Sequence, residues 1–467
     1  MIKRLIFAFA CLILGVFCRA DVNDIDGSKT SAVEGSRYEW VFVYYMSLDN
    51  NLTIWGEEVL EGLEKGIVNS KVAVVAQADF GDISGIRRIS MRLVGGEVER
   101  EEVILDTEDS ANEVELRKYL EWVAKEWDGE NYAVIFPNHG GRLNQMCSDE
   151  KPFQSWDENR KFLSSKWIRS SEAGKVTANF NEQTGGKVRL LFLQQCGRGS
   201  VQNLCNFVDS AEYILSSPVR VGAPNTYYTA MVMSAAENND IGGDSLAEII
   251  MAEDEDYLVY ALVNNSEFKR LPERLKAALK GFREASILEA PEHCPKIFVF
   301  GGESYYDFKS YLLALDVGNN NVGGEELVRF LEWYEGSVVV QTRIRRVKEG
   351  SRALFSGLSI YMPSGQKELE RYSFLPFYKQ IGLDSKVLIR PPGRWNVILR
   401  RGRIAVKKSL PRLLAVIGFV GIILLSFLFY IFHKAWKMSE MVRCEVGGGD
   451  DGGQKTDDRG QSRDVKG

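Results

Sequence analysis

The sequence predicts an α/β fold in which a mostly parallel sheet carries helices on both faces, together with one transmembrane helix. Three observations support this prediction: apolar runs of strand length, helical patterns between those runs, and an uncharged run at residues 413–432. Strands that are apolar throughout are typical of parallel sheets, whose two faces are both covered by helices. The 467 residues, with 45% apolar and 26% charged side chains, have an ordinary globular composition and room for two or three domains.

Six apolar runs predict the strands. They are WVFVYYM (40–46), KVAVVAQAD (71–79), YAVIFPNHGG (132–141), VRLLFLQQC (188–196), KIFVFGG (296–302) and GSVVVQTRI (336–344). Short runs of this kind, rich in β-branched and aromatic residues, are typical of buried strands.

Two segments between these runs have the apolar spacing of helices. The first begins with a capping box formed by Ser110 and Glu113. Its apolar residues recur every three or four positions and therefore share one face, namely Leu116, Leu120, Val123 and Trp127. The second segment follows the fourth predicted strand and has the apolar stripe Val201, Leu204, Val208, Ala211 and Leu215.

The two ends of the chain predict export and membrane anchoring. Residues 1–20 have a basic start, an apolar core and a small final residue, which is typical of a signal peptide, with an uncleaved anchor as the alternative. Residues 413–432 have the length and apolar character that cross a bilayer. Basic residues are more frequent before this span than after it, which alone favours the opposite orientation. The signal peptide decides the orientation here, because large domains translocate largely regardless of charge.

The sequence therefore predicts a single-pass membrane protein whose main domain is extracytoplasmic. A basic juxtamembrane linker (386–412) precedes the span, and a short cytoplasmic tail (433–467) with the composition of disordered segments follows it.

Charge and cysteine content argue against several classes of protein. The net charge of −6 gives no indication of a nucleic-acid partner. Seven cysteines in a chain of this length are too few for a disulfide scaffold. Their spacing matches no Cys or Cys/His zinc site, so no structural metal site is expected.

His139 and Cys196 are the candidate catalytic residues, because each closely follows a predicted strand. The carboxyl ends of parallel strands meet at one edge of a sheet, so the imidazole and the thiol can meet in one crevice. A thiolate is a nucleophile, and a nearby imidazole can accept its proton. A helix directly after Cys196 would further favour the thiolate through its dipole. On spacing alone, a buried structural cysteine and an unrelated histidine remain an equal alternative.

Four segments resemble the clostripain family of cysteine peptidases, whose fold is caspase-like. They are VYYMSLDNNL (43–52), AVVAQADF with GIRRISM (73–80 and 85–91), YAVIFPNHGGR (132–142) and FSGLSIYMP (355–363). In addition, QQCGRG (194–199) is one step from the caspase-type cysteine signature. The matches span residues 38–385 in the order of the family, which identifies this range as a clostripain-like peptidase domain.

The resemblance implies a membrane-anchored cysteine endopeptidase that acts on proteins or peptides through an acyl-enzyme. It implies His139 as the general base and Cys196 as the nucleophile. It also implies an oxyanion hole formed by the backbone N–H groups of Gly140 and Cys196. Relatives are often activated by self-cleavage between the two catalytic residues, here within residues 143–187. Two alternatives remain: a catalytically inactive caspase-like ectodomain used for binding or scaffolding, and a transpeptidase.

Gln194 departs from the family, which usually has an acid two residues before the cysteine to bind an arginine or lysine of the substrate. An amide cannot supply that charge. The departure predicts a neutral or acidic residue at P1, the substrate position before the cleaved bond. Gln194 and Arg198 are the candidate residues of the S1 pocket that receives it.

The sequence itself gives no indication of a cofactor; only the resemblance leaves calcium open, since some family members need it. The candidate segments are Asp49–Asn51 and EDED (253–256), for which a capped turn and a solvated loop are the alternative interpretations. No other cofactor is expected.

Overall fold

The computed structural model describes residues 37–81, 85–150, 166–238, 240–282, 287, 294–363 and 365–383. The described residues lie within the predicted peptidase domain, apart from Arg37. The predicted signal peptide (1–20), linker (386–412), membrane span (413–432) and tail (433–467) all lie outside them.

The described residues form 14 strands. They are β1 (Tyr38–Leu48), β2 (Val72–Phe80), β3 (Arg87–Val94), β4 (Glu97–Ile104), β5 (Gly129–Ile135), β6 (Met146–Asp149), β7 (Lys166–Ile168), β8 (Val188–Leu193), β9 (Tyr213–Ser216), β10 (Val259–Asn264), β11 (Lys296–Phe300), β12 (Glu303–Asp307), β13 (Val339–Ile344) and β14 (Ser359–Met362). Nine of them form the main sheet, in the order β13-β10-β9-β8-β5-β1-β2-β3-β4.

The main sheet is parallel in its centre and antiparallel at both edges. The central strands β9, β8, β5, β1 and β2 run parallel, whereas the edge pairs are antiparallel. Four of the eight neighbouring pairs are therefore parallel, fewer than the mostly parallel sheet expected. At one edge the reason is local, because Gly95 and Gly96 both have positive φ and close a tight hairpin between β3 and β4.

Helices cover both faces of the main sheet. They are α1 (Gly56–Lys65), α2 (Glu113–Glu126), α3 (Ser170–Gln183), α4 (Val201–Leu204), α5 (Tyr228–Glu237), α6 (Gly243–Glu253), α7 (Asn265–Phe268), α8 (Leu271–Ala278), α9 (Phe308–Gly318), α10 (Gly324–Trp333), α11 (Gln366–Tyr372) and α12 (Pro376–Ile381). Alternate residues of β1 enter two separate cores. Val43 and Tyr45 pack in the core that includes α2 and α3, whereas Phe42 and Tyr44 pack in the core that includes α1, α5 and α6.

The expected fold needs one correction. The caspase-like α/β sheet with its helices agrees with the prediction, but the predicted transmembrane helix does not. None of the helices in the described part of the chain is both long and apolar enough to cross a membrane. The predictions of a membrane-spanning fold and of a membrane-anchored location are therefore not supported.

Both predicted helices differ in extent from the expectation. The side chain of Asn112, not of Ser110, caps α2 by accepting a hydrogen bond from the Val114 N–H. Ser110 is instead buried among carboxylates, where its hydroxyl donates to Asp79. The stripe after Cys196 forms only the four-residue α4, because the chain re-enters the sheet at β9 and places Leu215 in that strand.

A three-stranded sheet, in the order β11-β12-β14, lies against the segment that carries Cys196. The predicted strand at 296–302 belongs to this sheet rather than to the main one. The Ser359 N–H donates to the carbonyl oxygen of Gly199 at 2.9 Å, which ties β14 to the cysteine loop. The late family-like segment 355–363 thus supports the loop from outside the main sheet.

Candidate active site

A cavity of about 270 Å³ opens at the carboxyl edge of the parallel strands. His139 follows β5 and Cys196 follows β8, and these two strands are neighbours in the sheet. Both side chains line the cavity, together with the loop after β1. Three adjacent strands therefore bring the chemistry-bearing residues of the sequence to one place, as the α/β topology predicts.

Cys196 is half-buried, with its thiol held against the backbone of Val221. The thiol contacts the Val221 carbonyl oxygen at 3.5 Å, and the Val221 N–H points to Sγ at 3.4 Å. Burial raises the pKa of the Cys196 thiol, while the Val221 contact and Arg198 act in the opposite direction. The expected contribution of a helix dipole is wrong, because α4 has four residues and begins only at Val201. The thiol is therefore protonated in this resting state.

His139 is oriented by Asn51. The imidazole Nε2 lies 2.7 Å from the amide oxygen of Asn51. Because an amide oxygen only accepts hydrogen bonds, Nε2 carries the hydrogen and Nδ1 keeps its lone pair. Burial lowers the pKa of His139, so the imidazole is neutral near pH 7. These features leave Nδ1 ready to accept a proton.

Arg198 lies beneath the site and does not line the cavity. Its side chain is completely buried, and its guanidinium donates to the carbonyl oxygens of the loop after His139. The acceptors are Gln145 (2.6 Å), Gly141 (2.7 Å), Arg142 (3.1 Å) and Leu143 (3.3 Å). The same loop is held by the buried Glu303, which accepts from the Leu143 N–H at 2.8 Å. A buried guanidinium and a buried carboxylate thus both fix the loop 141–145.

Gly140 lies directly against the cysteine backbone. A Cβ atom at this position would overlap the carbonyl oxygen of Cys196, so only glycine fits. The neighbouring N–H groups of Gly141 and Gly197 donate to Gln145 and Val219. No backbone carbonyl oxygen in the described part of the chain accepts from the N–H groups of Gly140 and Cys196, which suits the oxyanion hole that the resemblance implies.

Gln194 belongs to a network of amides and phenols at the cavity wall. Its amide nitrogen donates to the Asn225 side-chain oxygen at 2.5 Å and to the Tyr228 hydroxyl at 2.9 Å. Its amide oxygen accepts from the Tyr227 hydroxyl at 2.6 Å. Asn225 donates in turn to the buried carboxylate of Asp254 at 2.8 Å. The side chain of Gln194 is therefore held by three neighbours.

Three buried carboxylates, Asp49, Asp79 and Asp149, lie behind the loop that carries Asn51. One oxygen atom from each lies within 4.8 Å of the others. Burial, and next the charge of Asp149, raise the pKa of Asp79 to about 8. Carboxylate oxygens are the ligands that calcium prefers, and the group supplies three of the roughly six to eight that calcium takes. The donor chemistry therefore fits calcium.

The other candidate calcium segment, EDED at 253–256, has partners within the protein. Asp254 is fully buried and accepts hydrogen bonds from Asn225 and Tyr260. Asp256 forms an ion pair with Arg346. The turn at Asp49–Asn51 is capped as expected, because Asn50 accepts from the Leu52 N–H at 2.9 Å.

Of the residues predicted from the sequence, His139, Cys196 and Gln194 line the cavity, whereas Gly140 and Arg198 do not. Gly140 lies against the backbone of Cys196. The sequence analysis missed Asn51 as the partner of His139 and Asn225 as the partner of Gln194. For Asn51 a signal existed, because it follows β1, which lies beside β5, and therefore belongs to the same sheet edge.

Comparison with known proteins gives a family and a fold. The model of the clostripain family matches residues 44–269. No curated protein matches the chain at a significant level.

Solved structures share the fold at low sequence identity. An inactive zymogen C11 protease from Parabacteroides distasonis has 16% identity and a TM-score of 0.57, covering 75% of this chain and 99% of that one. A secreted C11 cysteine protease from Bacteroides thetaiotaomicron, in complex with an irreversible peptide inhibitor, has 15% identity and a TM-score of 0.56. That match covers 74% of this chain and 100% of the other.

Proposed function

The chain belongs over residues 44–269 to the clostripain family of cysteine peptidases, and on that premise we propose that it hydrolyses internal peptide bonds through Cys196 and His139. The observation that carries the proposal is that both side chains line one cavity at the ends of adjacent parallel strands. The neutral imidazole, with Nε2 held by Asn51, supports His139 as the base.

The proposed reaction begins when the Cys196 thiol gives its proton to Nδ1 of His139. The sulfur then attacks the peptide carbonyl carbon, and the electron pair of the C=O bond moves to the oxygen. The N–H groups of Gly140 and Cys196 stabilise this oxyanion. Its collapse breaks the C–N bond, and the leaving amine takes the proton from the imidazolium.

The resulting thioester is then hydrolysed. His139 accepts a proton from water, the hydroxide equivalent attacks the thioester carbonyl, and the C–S bond breaks. The carboxylic acid leaves and the sulfur regains its proton from His139. In the resting structure the thiol contacts Val221, so the proposal requires Sγ to turn from that carbonyl toward the imidazole.

Calcium binding stays a prediction, and no step of this reaction passes through the ion. Asp49, Asp79 and Asp149 would hold it. Its charge would balance three carboxylates next to the turn that positions Asn51.

The test is reaction of the full-length protein with a peptide chloromethyl ketone, followed by mass spectrometry of the labelled cysteines. Cys294 is the matched control, because it is also half-buried and free but does not line the cavity. We expect Cys196 to react first, and His139→Ala to abolish that preference. Equal labelling of Cys196 and Cys294 would contradict the proposal and favour a binding module. Product analysis with an added amine separates hydrolysis from transpeptidation.

A further inference from the structure

We infer that this site cleaves after uncharged residues, and that Gln194 and Asn225 together set this preference at P1. The inference rests on the proposed function and names its substrate class. It depends on three features of the described cavity: its lining, its amide network and the position of the nearest buried carboxylate.

The lining of the cavity is mainly apolar. None of the described residues that line it is an aspartate, glutamate, lysine or arginine. Its polar side chains are amides, one phenol, the imidazole and the thiol. The apolar contribution comes from Leu48, Leu52, Trp55, Val59, Pro137, Val221, Ala223 and Pro224. A side chain that enters this cavity therefore meets hydrocarbon walls and neutral dipoles.

The amide network fixes which polar groups the cavity wall presents. Both amide hydrogens of Gln194 are used, one by Asn225 and one by Tyr228, and its oxygen accepts from Tyr227. The side chain cannot rotate without losing these hydrogen bonds. Because both Gln194 and Asn225 are amides, neither supplies a charge to pair with a guanidinium or an ammonium group.

The nearest carboxylate of this network is shielded by Asn225. Asp254 is fully buried, and its oxygens accept from the Asn225 amide at 2.8 Å and the Tyr260 hydroxyl at 2.8 Å. The Thr226 and Asp256 N–H groups, at 3.4 Å and 3.2 Å, add two further donors. Asp254 is therefore committed to the protein, and it does not line the cavity.

A charged P1 side chain would be buried without a partner. An arginine or lysine would lose its hydration and find no carboxylate among the described residues that line the cavity, which disfavours binding strongly. The Asp256 carboxylate lies behind Gly222 and is already paired with Arg346.

An aspartate or glutamate would find no cation among the described residues that line the cavity. Arg220, whose charge acts on Cys196, is exposed and precedes the lining segment. The buried Asp254 behind the wall would repel an acidic side chain. Arg198 cannot assist, since its guanidinium is bound to the loop 141–145. We expect uncharged P1 residues to be favoured over charged ones by about 100-fold in kcat/KM, because a charged side chain that is buried without a partner loses its hydration and gains nothing in return.

The first experiment profiles P1 on the full-length protein with a peptide library that varies only this residue, using Cys196→Ala as the blank. We expect cleavage after leucine, methionine, glutamine or asparagine to exceed cleavage after arginine, lysine, aspartate and glutamate. Cleavage that depends on Cys196 and is best after any charged residue would overturn the inference while leaving the proposed function intact. Absence of Cys196-dependent cleavage, with no selective labelling of Cys196, would overturn both.

The second experiment restores the charge. Gln194→Glu places a carboxylate where Tyr227 and Tyr228 can both donate to it, and Gln194→Met is the neutral control of similar length. We expect the ratio of kcat/KM for arginine over leucine at P1 to rise at least about tenfold in Gln194→Glu and to stay unchanged in Gln194→Met. An equal change in both variants would show that shape, not charge, sets the preference. The wild-type profile remains a test if either variant misfolds.

Discussion

The substitution Arg198→Met should show whether Arg198 positions the loop 141–145 or binds the substrate. The guanidinium donates to four carbonyl oxygens of the loop 141–145, and Nε points to the Cys196 carbonyl oxygen at 3.4 Å. Methionine keeps much of the volume but removes every donor and the charge. It also leaves Glu303, which holds the same loop through the Leu143 N–H, without its nearby opposite charge.

The expected loss of unfolding free energy is about 3–5 kcal/mol, taken from the cost of removing one of two interacting buried charges, because Glu303 acts on Arg198 electrostatically. Hydrogen bonds to a charged group are worth roughly 1.5–3 kcal/mol each, so a plain sum over four would exceed this value. The sum is not appropriate, because the four acceptors belong to one loop that can relax as a unit.

Catalysis should fall more than binding. The loop begins directly after His139 and Gly140, so its relaxation moves the proposed base and a proposed oxyanion donor, for which a displacement of about 1 Å can cost about 100-fold. KM should change little, because Arg198 does not line the cavity. Arg198→Lys, which keeps the charge but not the fork of donors, should recover part of kcat.

The assay is denaturant unfolding together with kcat and KM for one peptide, measured at a temperature where each variant is folded. A folded Arg198→Met protein with unchanged kcat would show that Arg198 does not position the loop. A rise in KM for acidic P1 peptides alone, with kcat intact, would instead support the S1 role that the sequence suggested for Arg198.

Two further predictions concern the loop after β1 and the carboxylates behind it. Asn51→Ala should lower kcat about 10- to 100-fold with little change in stability, because Nε2 of His139 loses the acceptor that fixes the tautomer of the imidazole. Steady-state kinetics would check this prediction. A kcat equal to that of the wild type would contradict the assigned orientation of His139. In the calcium-free protein, native Asp79 has its pKa raised to about 8 from 3.8, so it keeps its proton at pH values where the unfolded chain has lost it. Its contribution to stability is thus fully present below about pH 4, declines as the pH rises and is lost above about pH 8. Asp79→Asn should flatten this decline in denaturant unfolding between pH 5 and 9, and an unchanged slope would show that another group causes it.

The central strands could be predicted because their signal is local. Residues in the middle of β1, β2, β5 and β8 are apolar on both faces, and each predicted run overlaps the strand it forms, although the ends differ. The edge strand β4, in contrast, has four glutamates in eight residues and is mostly exposed, so no apolar pattern marks it. Helix α4 was overestimated for a related reason, because an apolar stripe alone does not distinguish a helix from a buried loop followed by a strand.

Only the site residues that closely follow a predicted strand could be predicted from the sequence. His139 and Cys196 follow conspicuous strands, so the topology alone brings them to one edge. Arg198, in contrast, has a sequence context that places it near Cys196 but gives no indication of its direction. Its burial depends on carbonyl groups more than 50 residues earlier in the chain, which no local pattern reports.

The pairing of β6 with β7 has a consequence for the integrity of the chain. These strands join residues 146–149 to residues 166–168, and β5 pairs with β8 on either side of the same interval. If the backbone were cut between residues 149 and 166, the fragment with His139 and the fragment with Cys196 would still share two strand pairs. The hydrogen bonds from Arg198 to the loop 141–145 would also cross from one fragment to the other. A two-chain form of this protein would therefore keep His139 and Cys196 at the same sheet edge, with hydrogen bonds of the folded state joining the two pieces.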